Sequence, residues 1–474
     1  MRVRLLLAAV LAAALAGCTP AGTSSSETPG PTGTRLATAT PSPTRPVVSL
    51  AYDVADDLRS ATGSETIMFT PDKQVCEVVL RAWPNKPVLT KAGNGMTIGT
   101  VTVDGTPLHT DVQAAGAAAG ASGTLVEAKL PACKAAGTSL TVKADFTVTL
   151  GPKTDERMGY ATSGELAWFQ TAYPLLAWQD GVGWVRDAAV DMYGETVTSE
   201  AFTLKDLAVT APARYAVSGV GASGATASDG PNTTHHFSAP VMRDVAVMVG
   251  SFTLSEHTAS GTTVHLAVPH FGRLNDAGAW RSQVDDSLAG LVAYLGPVPF
   301  SDVWVNVIPD GSEGIESSGE VQLGGSGRRV QAWLVTHELA HQWIYAMVGN
   351  NQAQHPWLDE SVTSMVEAVV DDPGHAPKPS RDYSGSAADD IGRPMSFFAA
   401  SRRPDDAYNA AVYSAGADLL IEARDAAGHD AFDAALRDYL RANSYRIATP
   451  QDFAASFAGV RGVVDSLKSH GLVS

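Results

Sequence analysis

His337 and His341 stand four residues apart in His337-Glu338-Leu339-Ala340-His341, inside a largely apolar stretch that runs from Val330 to Val348. Each helical residue turns ~100°, so the two imidazoles sit about 40° apart around the axis and can reach one ion from the same side. That geometry fits zinc. Glu338, one step round the helix from the first imidazole, reaches the ion's open position rather than the ion itself, where a general base is wanted. A third donor follows in His355-Pro356-Trp357-Leu358-Asp359-Glu360-Ser361, where Glu360 opens a second apolar run. A loop between two such helices lets them pack antiparallel and aim that carboxylate at the same ion. Two imidazoles and one carboxylate leave a fourth position for water, which is the composition of a catalytic rather than a structural zinc. The expectation is one Zn2+ per chain.

These donors need rigid elements. Val330 to Val348 reads as one helix closed by Gly349, and Trp357 to Val370 as another, ended by Asp371-Asp372-Pro373-Gly374. Nearer the C-terminus, Phe432, Leu436, Tyr439 and Leu440 share a helical face. Thr449-Pro450-Gln451-Asp452 carries an N-cap residue, a proline at the first helical position and an acid in the first turn. Upstream, the chain from about Val47 to His270 reads as strands. The clearest is Leu140 to Leu150, where apolar residues alternate with Thr, Lys and Asp, so that one face is buried. Asp104-Gly105 is a hairpin signal.

The chain begins with Arg2 and Arg4, a 12-residue apolar run from Leu5 to Ala16, and then Gly17-Cys18. This pattern is a secretion signal too short to span a bilayer, and small residues before a cysteine resemble the bacterial lipobox, in which Cys18 would be acylated. Two acyl chains give stable anchoring where one is marginal. From Thr19 to Pro46, 21 of 28 residues are Thr, Ser, Pro or Gly, with no aromatic residue. Such a segment buries too little surface to offset the entropy of ordering and reads as a flexible or glycosylated stalk. Cys76 and Cys133 would then fold outside the cytoplasm, where a disulfide between them is permitted; the alternative is two separate buried thiols. The net charge of −17 over 474 residues leaves no basic excess to displace counterions, so nucleic acid is excluded as a partner.

The spacing of the first two histidines and Glu360, with His341-Gln342-Trp343 and Trp357-Leu358-Asp359-Glu360, resembles the gluzincin metallopeptidases of aminopeptidase N type. The resemblance implies that His337, His341 and Glu360 hold zinc and that Glu338 is the base. Metzincins would need a histidine where Met347 stands. Gly314-Ile315-Glu316-Ser317-Ser318-Gly319 resembles the family's exopeptidase loop, in which Gly314 and Glu316 would bind substrate and Glu316 would pair with its free α-amino group. A cationic amine in a partly dry cleft needs such a fixed carboxylate. Tyr413, in Val412-Tyr413-Ser414-Ala415-Gly416, matches the family's Y-x-x-G tyrosine, a donor to the oxyanion; Tyr408 is the competing candidate. Asp359 and Ser361 replace the common Asn and Gly around the third ligand, and Ser317 and Ser318 depart from the family's loop.

The fold expected is α+β and multidomain. It comprises a lipoprotein signal peptide (1–17), a stalk (18–46), an N-terminal β-sandwich or saddle domain (47–268), a thermolysin-like α/β catalytic domain with the zinc helix (269–395) and a short helical C-terminal segment (396–474). The function implied is a zinc aminopeptidase acting on peptides. It would be a monomer, extracytoplasmic and lipid-anchored to the outer face of the bacterial cell membrane. An endopeptidase on the same site and a noncatalytic surface-binding lipoprotein are the alternatives.

Overall fold

A computed structural model describes residues 40–153, 157–161, 165–195, 199–270, 275–308, 313–325, 329–372 and 387–473. Cys18, the leader and most of the stalk lie outside them. No helix among the described residues is long and apolar enough to cross a membrane.

The N-terminal part is built on a nine-stranded sheet. Its first strand, Val47–Val54, runs antiparallel to Ser60–Phe69 and parallel to Phe202–Pro212. The strand expected from alternation forms over Leu140–Thr149, with its apolar residues buried and its Lys and Asp exposed. Period two makes one face of this sheet apolar, and that face packs against two four-stranded sheets around Trp83, Phe169 and Tyr173. Asp104-Gly105 joins Gly95–Val103 to Thr106–Leu108 as a two-residue hairpin turn. Cys76 and Cys133 are bonded, tying the paired strands Val75–Arg81 and Leu125–Lys134.

A mixed five-stranded sheet follows. Phe252–Ala259 and Thr262–Pro269 form a hairpin whose second strand runs parallel to Asp302–Ile308; that strand is followed by Glu320–Gly324 and, at the edge, Gly314–Ser317. The hairpin thus belongs to the second sheet, and the domain boundary expected at residue 268 falls inside that sheet. Helix Ala277–Leu295 buries Trp280, Val284, Leu288, Leu291 and Leu295, a 3–4 spacing that aims one stripe inward. The C-terminal helices complete this second core; His429–Ala442 buries Phe432, Leu436, Tyr439 and Leu440, and Thr449 with Asp452 forms a capping box.

Two helices differ from expectation. The motif helix spans Ala332–Ala340, with His341 as its C-cap, and does not continue to Val348. Tyr345 turns to a φ of +82°, its N–H bonding the Val348 carbonyl, and its hydroxyl is held by Asp244 Oδ2 at 2.5 Å. Tertiary contacts therefore override an apolar run whose local pattern favours helix. The second expected helix divides into a 3-10 turn, Pro356–Leu358, and the carboxylate helix Glu360–Asp371, with Asp359 between them. Glu360 is thereby the first residue of its helix, where the dipole favours an anion.

Candidate metal centre and substrate cleft

Hydrogen bonds hold the motif helix to its neighbours. Thr336, on the motif helix, donates to Asp371 Oδ1 at 2.7 Å and contacts Ser287 Oγ at 2.9 Å, tying three helices at one point. Gln342 accepts from the Gly319 N–H at 2.8 Å and donates to the Ser317 carbonyl at 3.1 Å, fastening the strand end that carries Glu316 to the end of the motif helix. Asp244 takes the Ser317 hydroxyl and the Ser318 N–H on one oxygen, at 2.8 and 2.7 Å. Arg243 beside it reaches the carbonyls of Ser199, Tyr345 and Arg446, joining the N-terminal part to the turn after the motif helix.

His337, His341 and Glu360 converge. His337 Nε2 lies 3.2 Å from His341 Nε2 and 3.2 Å from Glu360 Oε2, and His341 Nε2 is 3.5 Å from the same oxygen. A tetrahedral ion with bonds of 2.0–2.1 Å has donors about 3.3 Å apart, so this triangle has the size zinc requires. The chemistry fits as well. Burial holds His337 below the ordinary imidazole range, against the opposing Glu360, which favours the neutral form that ligates. At His341 burial acts in the same direction but is outweighed by Asp359, Glu360 and Glu316, which draw a proton onto the ring. The cluster is short of positive charge, which a divalent cation would supply. Asp359 Oδ1 stands 2.9 Å from His341 Nδ1, and the Thr363 hydroxyl is 3.2 Å from the same nitrogen, leaving Nε2 to face the other donors.

The cleft beside this triangle has a volume of about 460 Å³ and is lined by all the residues that the sequence singles out for catalysis or substrate. Glu338 is only 5 % exposed, and burial raises its carboxyl well above the usual range, with His341 opposing and the neighbouring carboxylates adding. Gly314 lies against it: a Cβ there would meet the Glu338 carboxylate at 2.5 Å, so only glycine admits the base this close to the edge strand. Glu316 is buried, its carbonyl accepts from Gln170, and its carboxyl is pushed up to about 8, chiefly by burial. Tyr413 stacks on His337 with ring centroids 5.8 Å apart, whereas the rival Tyr408 is buried edge-on behind Tyr413. Tyr413 sits in a π-helical turn, Asn409–Ala415, a distortion frequent at functional sites. The Gly416 of its motif has a steric cause, because a Cβ there would lie 2.0 Å from Ser361 Oγ.

Asp359, which the sequence marks only as replacing the common Asn, contacts His341 and is held by Gln352. Gln352 carries no such signal, nor do Tyr193, Gly194 and Glu195, some 140 residues before the motif helix, which line the same cleft, Glu195 being paired with Arg157. Trp343 and Trp357, read as core, are fully buried.

Residues 324–469 match the Peptidase family M1 domain. Leucine aminopeptidase 2-1 of Meyerozyma guilliermondii is 26% identical over 161 residues, covering 30% of this chain and 26% of its own, so the chain spans about a quarter of that relative's length. Among solved structures, a point mutant of an M1 zinc metallopeptidase from Deinococcus radiodurans, bound to a Tyr-Ser-Ala substrate, superposes with a TM-score of 0.62 at 16% identity, over 92% of this chain and 96% of that one. A mutant of a two-domain M1 zinc metallopeptidase bound to L-arginine gives 0.62 at 16% identity, over 90% and 93%. At that identity the likeness is one of fold. The helical segment that carries the candidate ligands thus matches the M1 peptidase domain, and the chain as a whole shares the fold of the two-domain M1 zinc metallopeptidases.

Proposed function

We propose that this protein is a zinc-dependent peptidase that releases residues from the N-terminus of peptides. One observation carries the reading: the donor triangle of His337, His341 and Glu360 opens onto the same cleft as two further buried carboxylates, Glu338 and Glu316. Zinc held by the triangle would supply a Lewis acid for the peptide carbonyl and lower the pKa of water. Glu338 would take a proton from the attacking water and return it to the leaving amine, and its raised carboxyl suits the return. The Tyr413 hydroxyl would donate to the carbonyl oxygen as it gains negative charge. Glu316 would take the free α-amino group, whose charge would draw its proton away and leave a buried ion pair.

The same reading takes Cys18 as an acylated anchor that holds the body at the outer face of a bacterial membrane, supported by the sequence of the leader. A Cys18→Ala variant should then leave the membrane fraction.

The experiment compares wild type with Glu338→Gln for zinc content and for hydrolysis of free and N-acetylated aminoacyl substrates. Both proteins should carry one zinc, and the variant should lose several powers of ten in turnover of free substrates. Failure to take up zinc would end the reading; equal cleavage of acetylated peptides would make the protein an endopeptidase.

A further inference from the structure

Eight acidic residues line the cleft, and no lysine or arginine does among the described residues. Most of these carboxylates are already used. Glu360 faces the imidazoles, Glu338 and Glu316 have the roles above, Glu195 is paired with Arg157, Asp405 accepts the Tyr193 N–H at 3.0 Å, and Asp418 has an interaction of its own. Glu313 is exposed at the mouth. Glu367 is different. It lies seven residues after Glu360 on the carboxylate helix, close to two full turns, so both point from the same face, with Glu367 ~10 Å further along the axis. It meets the cleft with no lysine or arginine beside it among the described residues, and burial, with Asp371 adding, pushes its carboxyl up to about 8.

Between Glu367 and the candidate ligand triangle the carboxylate helix presents Ser364, and the facing walls are largely apolar. Trp333 and Leu334 project from the motif helix one turn before His337, and Trp333 remains 48 % exposed. Ala417 and Ile421 face the same space from helix Gly416–Ala427, one and two turns beyond Tyr413. A slot with apolar sides and a carboxylate at its far end matches a side chain with an aliphatic stem and a cationic head. The three- and four-carbon stems of arginine and lysine have that shape, and the indole of Trp333 adds a face for the cation. Glu338, almost fully buried at the other end and bonded to no described residue, shows independently that the cleft is built for an occupant.

We infer that Glu367 is a specificity-determining residue that selects peptides with an arginine or lysine side chain next to the scissile bond. The inference rests on the peptidase reading above and adds the substrate class. A neutral residue there leaves the Glu367 carboxyl without a partner, whereas a basic one forms a charge-assisted hydrogen bond in a site sheltered from water.

Two measurements separate the failure of this inference from failure of the peptidase reading. The first uses the zinc-loaded protein and two substrate series, one varied at the first residue and one at the second, each with Arg, Lys, Leu and Glu. Wild type should favour the basic members of one series at least tenfold in kcat/KM over leucine, mainly through KM. Glu367→Gln should lower that ratio about tenfold, and Glu367→Lys should turn it towards glutamate. The second is calorimetric binding of L-arginine amide and L-leucine amide to the same three proteins, which needs no turnover. Arginine amide should bind more tightly to wild type, and the advantage should vanish in both variants. Unchanged selectivity and unchanged binding preference in folded Glu367 variants would overturn the inference. Loss of all hydrolysis with the binding preference intact would instead remove the peptidase reading and keep the slot.

Discussion

Gln352 Nε2 donates a 2.7 Å hydrogen bond to Asp359 Oδ2, while the other oxygen of that carboxylate stands 2.9 Å from His341 Nδ1. The same amide approaches Glu316 Oε1 at 3.5 Å, so one side chain links Asp359, behind the candidate donor triangle, to Glu316. Partners that orient a ligating imidazole are commonly worth 10- to 100-fold in metal affinity. Asp359→Ala should therefore weaken zinc binding by about that factor, read by competition with a chromophoric chelator. Asp359→Asn should lose much less, because its amide oxygen still accepts from the ring. An alanine variant that binds zinc as tightly as wild type would show that Thr363 alone orients His341.

Ser361 donates a 2.6 Å hydrogen bond to the Val412 carbonyl, and Gly416 closes over the same hydroxyl. This contact sets where the π-turn places Tyr413. Gly416→Ala forces a methyl into a packed space and should cost about 1–3 kcal/mol of stability. Because the shift moves the phenol relative to the reacting carbonyl, kcat should fall more than KM rises. A variant with normal kcat and lowered melting temperature would mean that Tyr413 keeps its position independently of this contact.

The convergence of the three candidate donors is legible because helical spacing is local: four residues put His337 and His341 on one face, and the next apolar run offers Glu360. Leu140–Thr149 was legible for the same reason, through period two. What local pattern could not carry was set by distant contacts. The motif helix stops at Ala340 although Trp343, Ile344 and Val348 continue the apolar run, because Asp244 and Arg243, about 100 residues upstream, hold Tyr345 in a left-handed turn. The hairpin Phe252–Pro269 has the composition of the N-terminal strands, and only its pairing with Asp302–Ile308 assigns it to the second sheet. Glu367 gave no motif; its place follows from the cleft.

The bond between Cys76 and Cys133 closes a loop with a sequence separation of 57 across two paired strands. Chain entropy alone gives such a cross-link about 4 kcal/mol of stabilisation, and measured losses run at about 2–5 kcal/mol. A Cys76→Ser, Cys133→Ser double variant should melt several degrees lower. Its zinc affinity at 25 °C should match wild type, because the bridge lies in the N-terminal sheets and touches no residue of the cleft. A large fall in zinc affinity with little change in melting would show instead that the bridge acts on the site.

Glu200 offers a test of pH-dependent stability away from the metal centre. Burial raises its carboxyl from 4.5 to about 7, against Arg243 and the Asp180 N–H, which donates to it at 2.9 Å. Between those two values the folded chain keeps a proton that the unfolded chain has released. Stability from this group is therefore intact below about pH 4.5, declines as pH rises to about 7 and is level above that. At 1.36 kcal/mol per unit the loss is at most about 3 kcal/mol. Glu200→Gln accepts the same N–H and cannot ionise, so its melting midpoint should match wild type near pH 4.5 and lie above it at pH 8. The gap should open through the window between. A gap that is constant from pH 4 to 8 would mean that Arg243 holds Glu200 ionised throughout, and that this carboxylate stabilises the fold at neutral pH.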